Sequence, residues 1–123
     1  MIKKNTRIFL AGHNGLVGSA VLRKLKNLGY KKIITADRKK LDLINKNKVF
    51  SFLKKNKPNI VIICAAKVGG IKANNEFRGE FIYENLAIQN NLIHGSFITG
   101  VKNLVFLGSS CVYPKLANQP IKE

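Results

Sequence analysis

The 123-residue sequence predicts an α/β fold, a doubly wound sheet of parallel strands with helices on both faces. Three observations carry that expectation. Short apolar runs at residues 8–11 (IFLA) and 60–66 (IVIICAA) are nearly continuous, as strands buried within a parallel sheet require, and residues 103–107 (NLVFL) read as a further strand. Segments of helical periodicity separate the runs, so each strand is followed by a crossover long enough to return the chain parallel. Finally, Gly12, Gly15 and Gly18 recur at three-residue intervals where the first apolar run passes into the first helical pattern.

Each element follows in order. In residues 8–20 (IFLAGHNGLVGSA), Gly12 allows a sharp turn, Gly15 lets the backbone approach a pyrophosphate, and Gly18 lets the helix lie close to the strand. The N–H groups at the helix start then face the anion. Leu16, Val17, Val21, Leu25 and Leu28 fall on one side of that helix, and Gly29 is placed to cap it. Residues 32–36 (KIITA) form a second strand ending at Asp37, nineteen positions after Gly18, where a dinucleotide-binding fold places the residue that meets the adenosine ribose. Arg38, Lys39 and Lys40 follow at once and suit a 2′-phosphate instead, so these residues leave NAD and NADP both open; an Asp after a strand is also a common turn residue.

Residues 45–56 carry Val49, Phe50 and Leu53 at helical spacing and stop before Pro58. The run at 60–66 reads as a central parallel strand, with Lys67, Gly69 and Gly70 in a loop at its carboxyl end. The longest helical pattern spans 77–99, with Ile82, Leu86, Ile93 and Phe97 on one face and Gly100 beyond its end. Asn85 lies within it as a mediocre helix former, and His94 near its end reads as a favourable helix-terminal charge rather than a catalytic group. Residues 103–107 make a fourth strand, followed by Gly108, Ser109, Ser110 and Cys111. Right-handed crossovers predict a Rossmann-type β-α-β-α-β-α-β sheet ordered 3-2-1-4, with the glycine loop and residues 109–111 bordering a crevice between the first and fourth strands.

Composition bounds the function. Residues 1–123, 46% hydrophobic, hold one core and amount to one domain or part of one. The net charge of +16 raises the question of nucleic acid, but the lysines recur singly and in pairs with no interleaved aromatic residues, which reads as a solvated surface. No run approaches the length of a bilayer span, and the Lys-rich start lacks the apolar segment of a secretory signal; a cytoplasmic protein without membrane contact is the expectation. Cys64 and Cys111 have no metal-ligand spacing around them and read as reduced thiols.

The segments AGHNGLVGSA, AAKVGGIKANN and LGSSCVYPKLANQP, in this order, resemble the extended short-chain dehydrogenase/reductases and, within them, the GDP-L-fucose synthase family. The resemblance covers essentially the whole chain. Its first motif is common to the superfamily, whereas the second and third are far more specific. It implies NADPH-dependent epimerisation and reduction of GDP-4-keto-6-deoxymannose, with NADP as cofactor, a GDP-sugar as substrate and a homodimer at full length.

Residue by residue, the resemblance assigns Gly12, Gly15 and Gly18, with Asn14, Leu16 and Val17 between them, to the pyrophosphate loop, and Arg38 to the 2′-phosphate. It places Asp42 and Leu43 at the adenine pocket, and Ala65 and Ala66 beside the cofactor. Ser109 takes the place of the serine that hydrogen-bonds the substrate carbonyl, and Cys111 that of the acid/base cysteine of epimerisation. A 4-keto group acidifies its neighbouring C–H bonds, so a thiolate and a hydroxyl at these positions make chemical sense. Two positions depart from the pattern. Asn14 stands where the family often has a second arginine for NADP. The Tyr-x-x-x-Lys pair is absent, since Tyr30, Tyr83 and Tyr113 precede Ile34, Ala87 and Ala117 at that interval. The expectation is the N-terminal part of an NAD(P)-binding Rossmann domain, inactive without the remaining strands and substrate domain. The alternatives are another NAD(P)-dependent nucleotide-sugar epimerase or dehydratase, and a non-catalytic dinucleotide-binding module.

Overall fold

A run of four apolar residues with no polar alternation is stable only between two covering layers, and Ile8–Ala11 (β1) is buried at every position. The computed structural model describes residues 2–109, 113–114 and 116–121, and in it β1 lies inside a four-stranded parallel sheet. Ile33–Ile34 (β2) pairs with one side of β1, Ile8 opposite Ile33 and Phe9 opposite Ile34. Ile60–Ile63 (β3) pairs with the other side along all four positions, from Ile8 opposite Ile60 to Ala11 opposite Ile63. Asn103–Phe106 (β4) continues the sheet beyond β3 in parallel register. No helix among the described residues is long and apolar enough to cross a membrane.

The parallel α/β architecture is as expected, but the strand order is β2-β1-β3-β4 rather than 3-2-1-4. The reason is how much ladder each strand offers. β2 shares only two register positions with β1 before the chain turns away at Asp37, so it is a short edge. An apolar strand such as β3 needs neighbours on both sides, and β1 and β4 supply them. The reversal of strand order therefore lies between β1 and β3, not between the first and fourth strands, and the ligand crevice of such a sheet moves with it.

Alternate residues of β1 and β3 face opposite layers. Phe9, Ala11, Val61 and Ile63 pack with Leu41, Val49, Leu53 and Leu92 in the main core, beneath Lys46–Asn56 (α2) and Arg78–Ile98 (α4). α2 starts where Asn45 accepts a hydrogen bond from the Lys48 N–H at 3.0 Å, and it ends at Lys57, just before Pro58. Leu16–Asn27 (α1) packs against β1. Only Gly18 of this helix is fully buried, and Leu16 is 90% exposed, so the expected apolar side is covered only in part.

The α4 expectation needs a larger correction. Ile82, Leu86, Ile93 and Phe97, read as its packing face, are exposed, with Phe97 at 79%. The buried residues are Leu92, Gly95 and Ser96, because a small residue at 95 lets the helix approach Phe50 and Leu53 of α2. α4 is apolar around much of its circumference, so bulk alone did not identify the inward face. His94 lies against Phe50, the ring centroids 5.8 Å apart. A short helix, Ile71–Glu76 (α3), lies between the loop at Lys67–Gly70 and α4.

Candidate functional site

The carboxyl ends of β1, β2 and β3 meet at a cleft of about 440 Å³ located where the strand order reverses. Its first wall is the glycine turn. Gly12 has φ +84°, a left-handed conformation that an L side chain rarely adopts, and a Cβ there would sit 2.6 Å from the Ala65 nitrogen. Gly18 touches the same turn from above, since a Cβ on it would run into the Gly12 carbonyl oxygen. The third glycine of the sequence motif is thus explained by contact with the turn. Gly15 is different, because its φ of −74° is ordinary and its nearest neighbour would be 3.4 Å away. No packing reason demands glycine at 15.

Gly15 is also the N-cap of α1. It offers no side chain to the free N–H groups, and no acidic residue sits in the first turn. A Ser, Asp or Asn at the cap would stabilise the helix by only about a few tenths of a kcal/mol relative to glycine, so the glycine costs the helix little while leaving its start electropositive and open toward the cleft. That donor set fits a phosphate group.

The second wall follows β2. Asp37 accepts the Lys40 N–H at 2.9 Å, and Asp42 accepts the Ile44 N–H at 3.1 Å, so both carboxylates close their own loops. The amide of Asn91, on α4, donates to the carbonyl oxygens of Leu43 (3.0 Å) and Ile44 (2.9 Å), holding this wall to the helix.

The third wall follows β3, where Cys64, Ala65 and Ala66 pass beside the glycine turn. Burial pushes the Cys64 thiol pKa up, so it stays protonated and lines the cleft as an apolar group. Lys67 is fixed by three α4 residues on one helical face. Asn85 accepts the Lys67 N–H at 2.8 Å and donates to its carbonyl at 3.0 Å. The ammonium lies 2.6 Å from Glu84 and 5.2 Å from the centre of the Phe81 ring. Glu84 also meets Arg38 at 3.7 Å, across the cleft mouth.

Of the residues singled out in the sequence, Gly12, Asn14, Gly15, Arg38, Asp42, Leu43, Ala65 and Ala66 line this one cleft. Gly18 lies beneath it, while Leu16 and Val17 stand outside its lining. Ser109 borders a second cleft of about 560 Å³, and Lys67 and Val68 line both, so the two are contiguous. Cys111 lies outside the described residues. Sequence reasoning missed His13, whose buried Nδ1 has no hydrogen-bond partner among the described residues, and missed Glu84 and Asn91. Among the described residues, no group of three or more His, Cys, Asp or Glu side chains is placed to hold a metal ion.

Known proteins share this arrangement. The NAD dependent epimerase/dehydratase family matches residues 8–123. A GDP-L-fucose synthase of Sinorhizobium fredii is 55% identical over 117 residues, 95% of this chain and 37% of that protein. GDP-L-fucose synthase 1 of Arabidopsis thaliana is 52% identical over 123 residues, covering all of this chain and 38% of that protein. A GDP-mannoheptose C4 reductase from Campylobacter jejuni, solved with NADP bound, superimposes with a TM-score of 0.94 at 43% identity, over 99% of this chain and 36% of that one. The chain thus spans little more than a third of the length of these relatives. With the glycine turn, the parallel sheet and the family match in agreement, the chain belongs to the NAD dependent epimerase/dehydratase family.

Proposed function

We propose that residues 1–123 are the coenzyme-binding portion of an NADPH-dependent enzyme that epimerises and reduces GDP-4-keto-6-deoxymannose to GDP-L-fucose. The observation that carries this reading is the contiguity of the two clefts. A dinucleotide laid across the glycine turn is led toward Lys67 and Val68, and Ser109 faces the cleft that continues from them. Relatives named GDP-L-fucose synthase, at 52% and 55% identity, support this choice of chemistry.

The residues fit the coenzyme. The turn at Gly12 and the uncapped start of α1 suit the pyrophosphate, the 42–44 loop suits the adenine, and Arg38 suits the 2′-phosphate. When bound, the coenzyme supplies the hydride for reduction at C4. Ser109 would donate a hydrogen bond to the C4 oxygen of the substrate, and Cys111, as thiolate, would remove a proton from a carbon flanking the ketone. A tyrosine and lysine beyond residue 123 would complete proton delivery, and the exposed outer face of α4 suits a second subunit of the full-length homodimer.

NADPH turnover by the full-length protein, assayed on GDP-4-keto-6-deoxymannose and a panel of other nucleotide sugars, tests the reading. Tight coupling to this substrate is expected. Failure to use any 4-keto nucleotide sugar would sink it. A second reading, reduction of a GDP-4-keto-heptose, draws on the heptose reductase superposition, and the same panel separates the two.

Arg38→Ala is expected to weaken NADP binding about 10- to 100-fold, the worth of a charge-assisted hydrogen bond of about 1.5–3 kcal/mol, while NAD affinity stays within about twofold. Equal losses for both coenzymes in isothermal titration would count against a 2′-phosphate contact. Gly15→Ala separates binding from folding. Loss of the glycine cap costs about 1 kcal/mol or less of stability, yet a methyl group in the path of the pyrophosphate should cost tenfold or more in affinity for either coenzyme. An unaltered dissociation constant would remove Gly15 from the site.

A further inference from the structure

We infer that Glu84 sets how strongly the protein prefers a 2′-phosphorylated coenzyme, by competing with that phosphate for Arg38. The inference rests on the coenzyme reading of the cleft and goes beyond it, since Glu84 comes from α4 rather than from the loops after β1 and β2.

The chain has only six acidic residues against 22 lysines and arginines, and Asp37, Asp42 and Glu84 all line this cleft. Asp37 and Asp42 are engaged by backbone N–H groups of their own loops. The Glu84 carboxylate instead bridges two cations from two different loops. Oε1 meets the Lys67 ammonium at 2.6 Å and Oε2 meets the Arg38 guanidinium at 3.7 Å. These two contacts are unequal. Lys67 and Glu84 are 30% and 21% exposed and their contact is short, whereas Arg38 is 81% exposed and only loosely held.

A loosely held, solvent-exposed guanidinium can leave its carboxylate for a better anion. A phosphate offers more charge and bidentate geometry, so a 2′-phosphorylated coenzyme should draw Arg38 away from Glu84. NAD carries no such group and leaves the pair in place. Breaking the pair is therefore a cost borne by NADP alone. Lys67 keeps Glu84 partly neutralised once Arg38 has gone, which limits the repulsion between carboxylate and phosphate. An exposed pair of this kind contributes little, so its removal should change selectivity by about two- to fivefold.

The test is a double-mutant cycle read by isothermal titration of NADP and NAD against the full-length wild type, Glu84→Gln, Arg38→Ala and the double variant. Glutamine keeps the shape of Glu84 and can still accept from Lys67, and NAD affinity reports whether the cleft is intact. Glu84→Gln is expected to raise the NADP-to-NAD affinity ratio about two- to fivefold, and the change should vanish in the Arg38→Ala background. A purely structural role would move both affinities together and leave the ratio alone. An unchanged or lower ratio overturns the inference, as does a rise that persists without Arg38, which would mean a general field effect. If Arg38→Ala itself leaves the ratio unchanged, the 2′-phosphate contact fails and this inference with it; if neither coenzyme binds wild type, the coenzyme reading of the cleft fails as well.

Discussion

Gly12→Ala is expected to remove a large fraction of the protein's stability and to lower its soluble yield and melting temperature. Two costs fall on the same methyl group. At φ +84° an L residue is strained by about 1–2 kcal/mol. The methyl carbon would also lie 2.6 Å from the Ala65 nitrogen, 2.7 Å from its Cα and 2.7 Å from the Cys64 carbonyl carbon. These are backbone atoms of the segment leaving β3 and cannot swing aside as a side chain would, so overpacking adds about 1–3 kcal/mol. The sum, about 2–5 kcal/mol, is a large fraction of the 5–15 kcal/mol or so that holds a domain of this size. Gly18→Ala should behave similarly, because its methyl group meets the Gly12 carbonyl. Gly79→Ala is the control, since nothing lies within 4 Å of a Cβ there, and in the first turn of α4 alanine should be neutral or stabilise by up to about 0.5 kcal/mol. Soluble yield and thermal melts by circular dichroism measure all three. A Gly12→Ala protein that melts like wild type would show that the turn can relax, and would remove the physical reason for glycine there.

Cys111→Ser is expected to slow proton exchange at the carbons flanking the 4-keto group by about 10²–10⁴-fold, the usual contribution of a positioned acid/base group. A hydroxyl keeps the size of the thiol but is far harder to deprotonate, so it cannot serve as the base. Reduction of a substrate already epimerised should change far less, because delivery of the hydride to C4 does not need that base. Ser109→Ala should slow both steps, since both develop negative charge on the same C4 oxygen. Deuterium incorporation from solvent, followed by mass spectrometry, reports the first step, and NADPH absorbance reports the second. Exchange that survives in Cys111→Ser would reduce the cysteine to a packing residue and move the acid/base role elsewhere.

Several features were legible because their causes are local. The apolar runs became strands at Ile8–Ala11, Ile60–Ile63 and Asn103–Phe106, and Asn45 and Pro58 bracketed α2 closely. The glycine turn was legible for the same reason, since its conformation and its contact with Gly18 arise within seven residues. Turn chemistry, capping and strand propensity act over a few bonds, so the identities of neighbouring residues are enough to read them.

What the tertiary structure alone decided acts across long separations. Strand order depended on β3 finding β1, a choice made by the length of ladder each strand could offer and not by anything within β3 itself. The inward face of α4 was chosen by Gly95 and Ser96, small enough for α2 to approach, and not by the bulky residues whose periodicity drew notice. The walls of the cleft are tied by Asn85 to Lys67 and by Asn91 to Leu43, contacts 18 and 48 residues apart in sequence. Each is a half-buried side-chain amide meeting a backbone group, and backbone groups exist on every residue, so the partner carries no signature until the chain has folded.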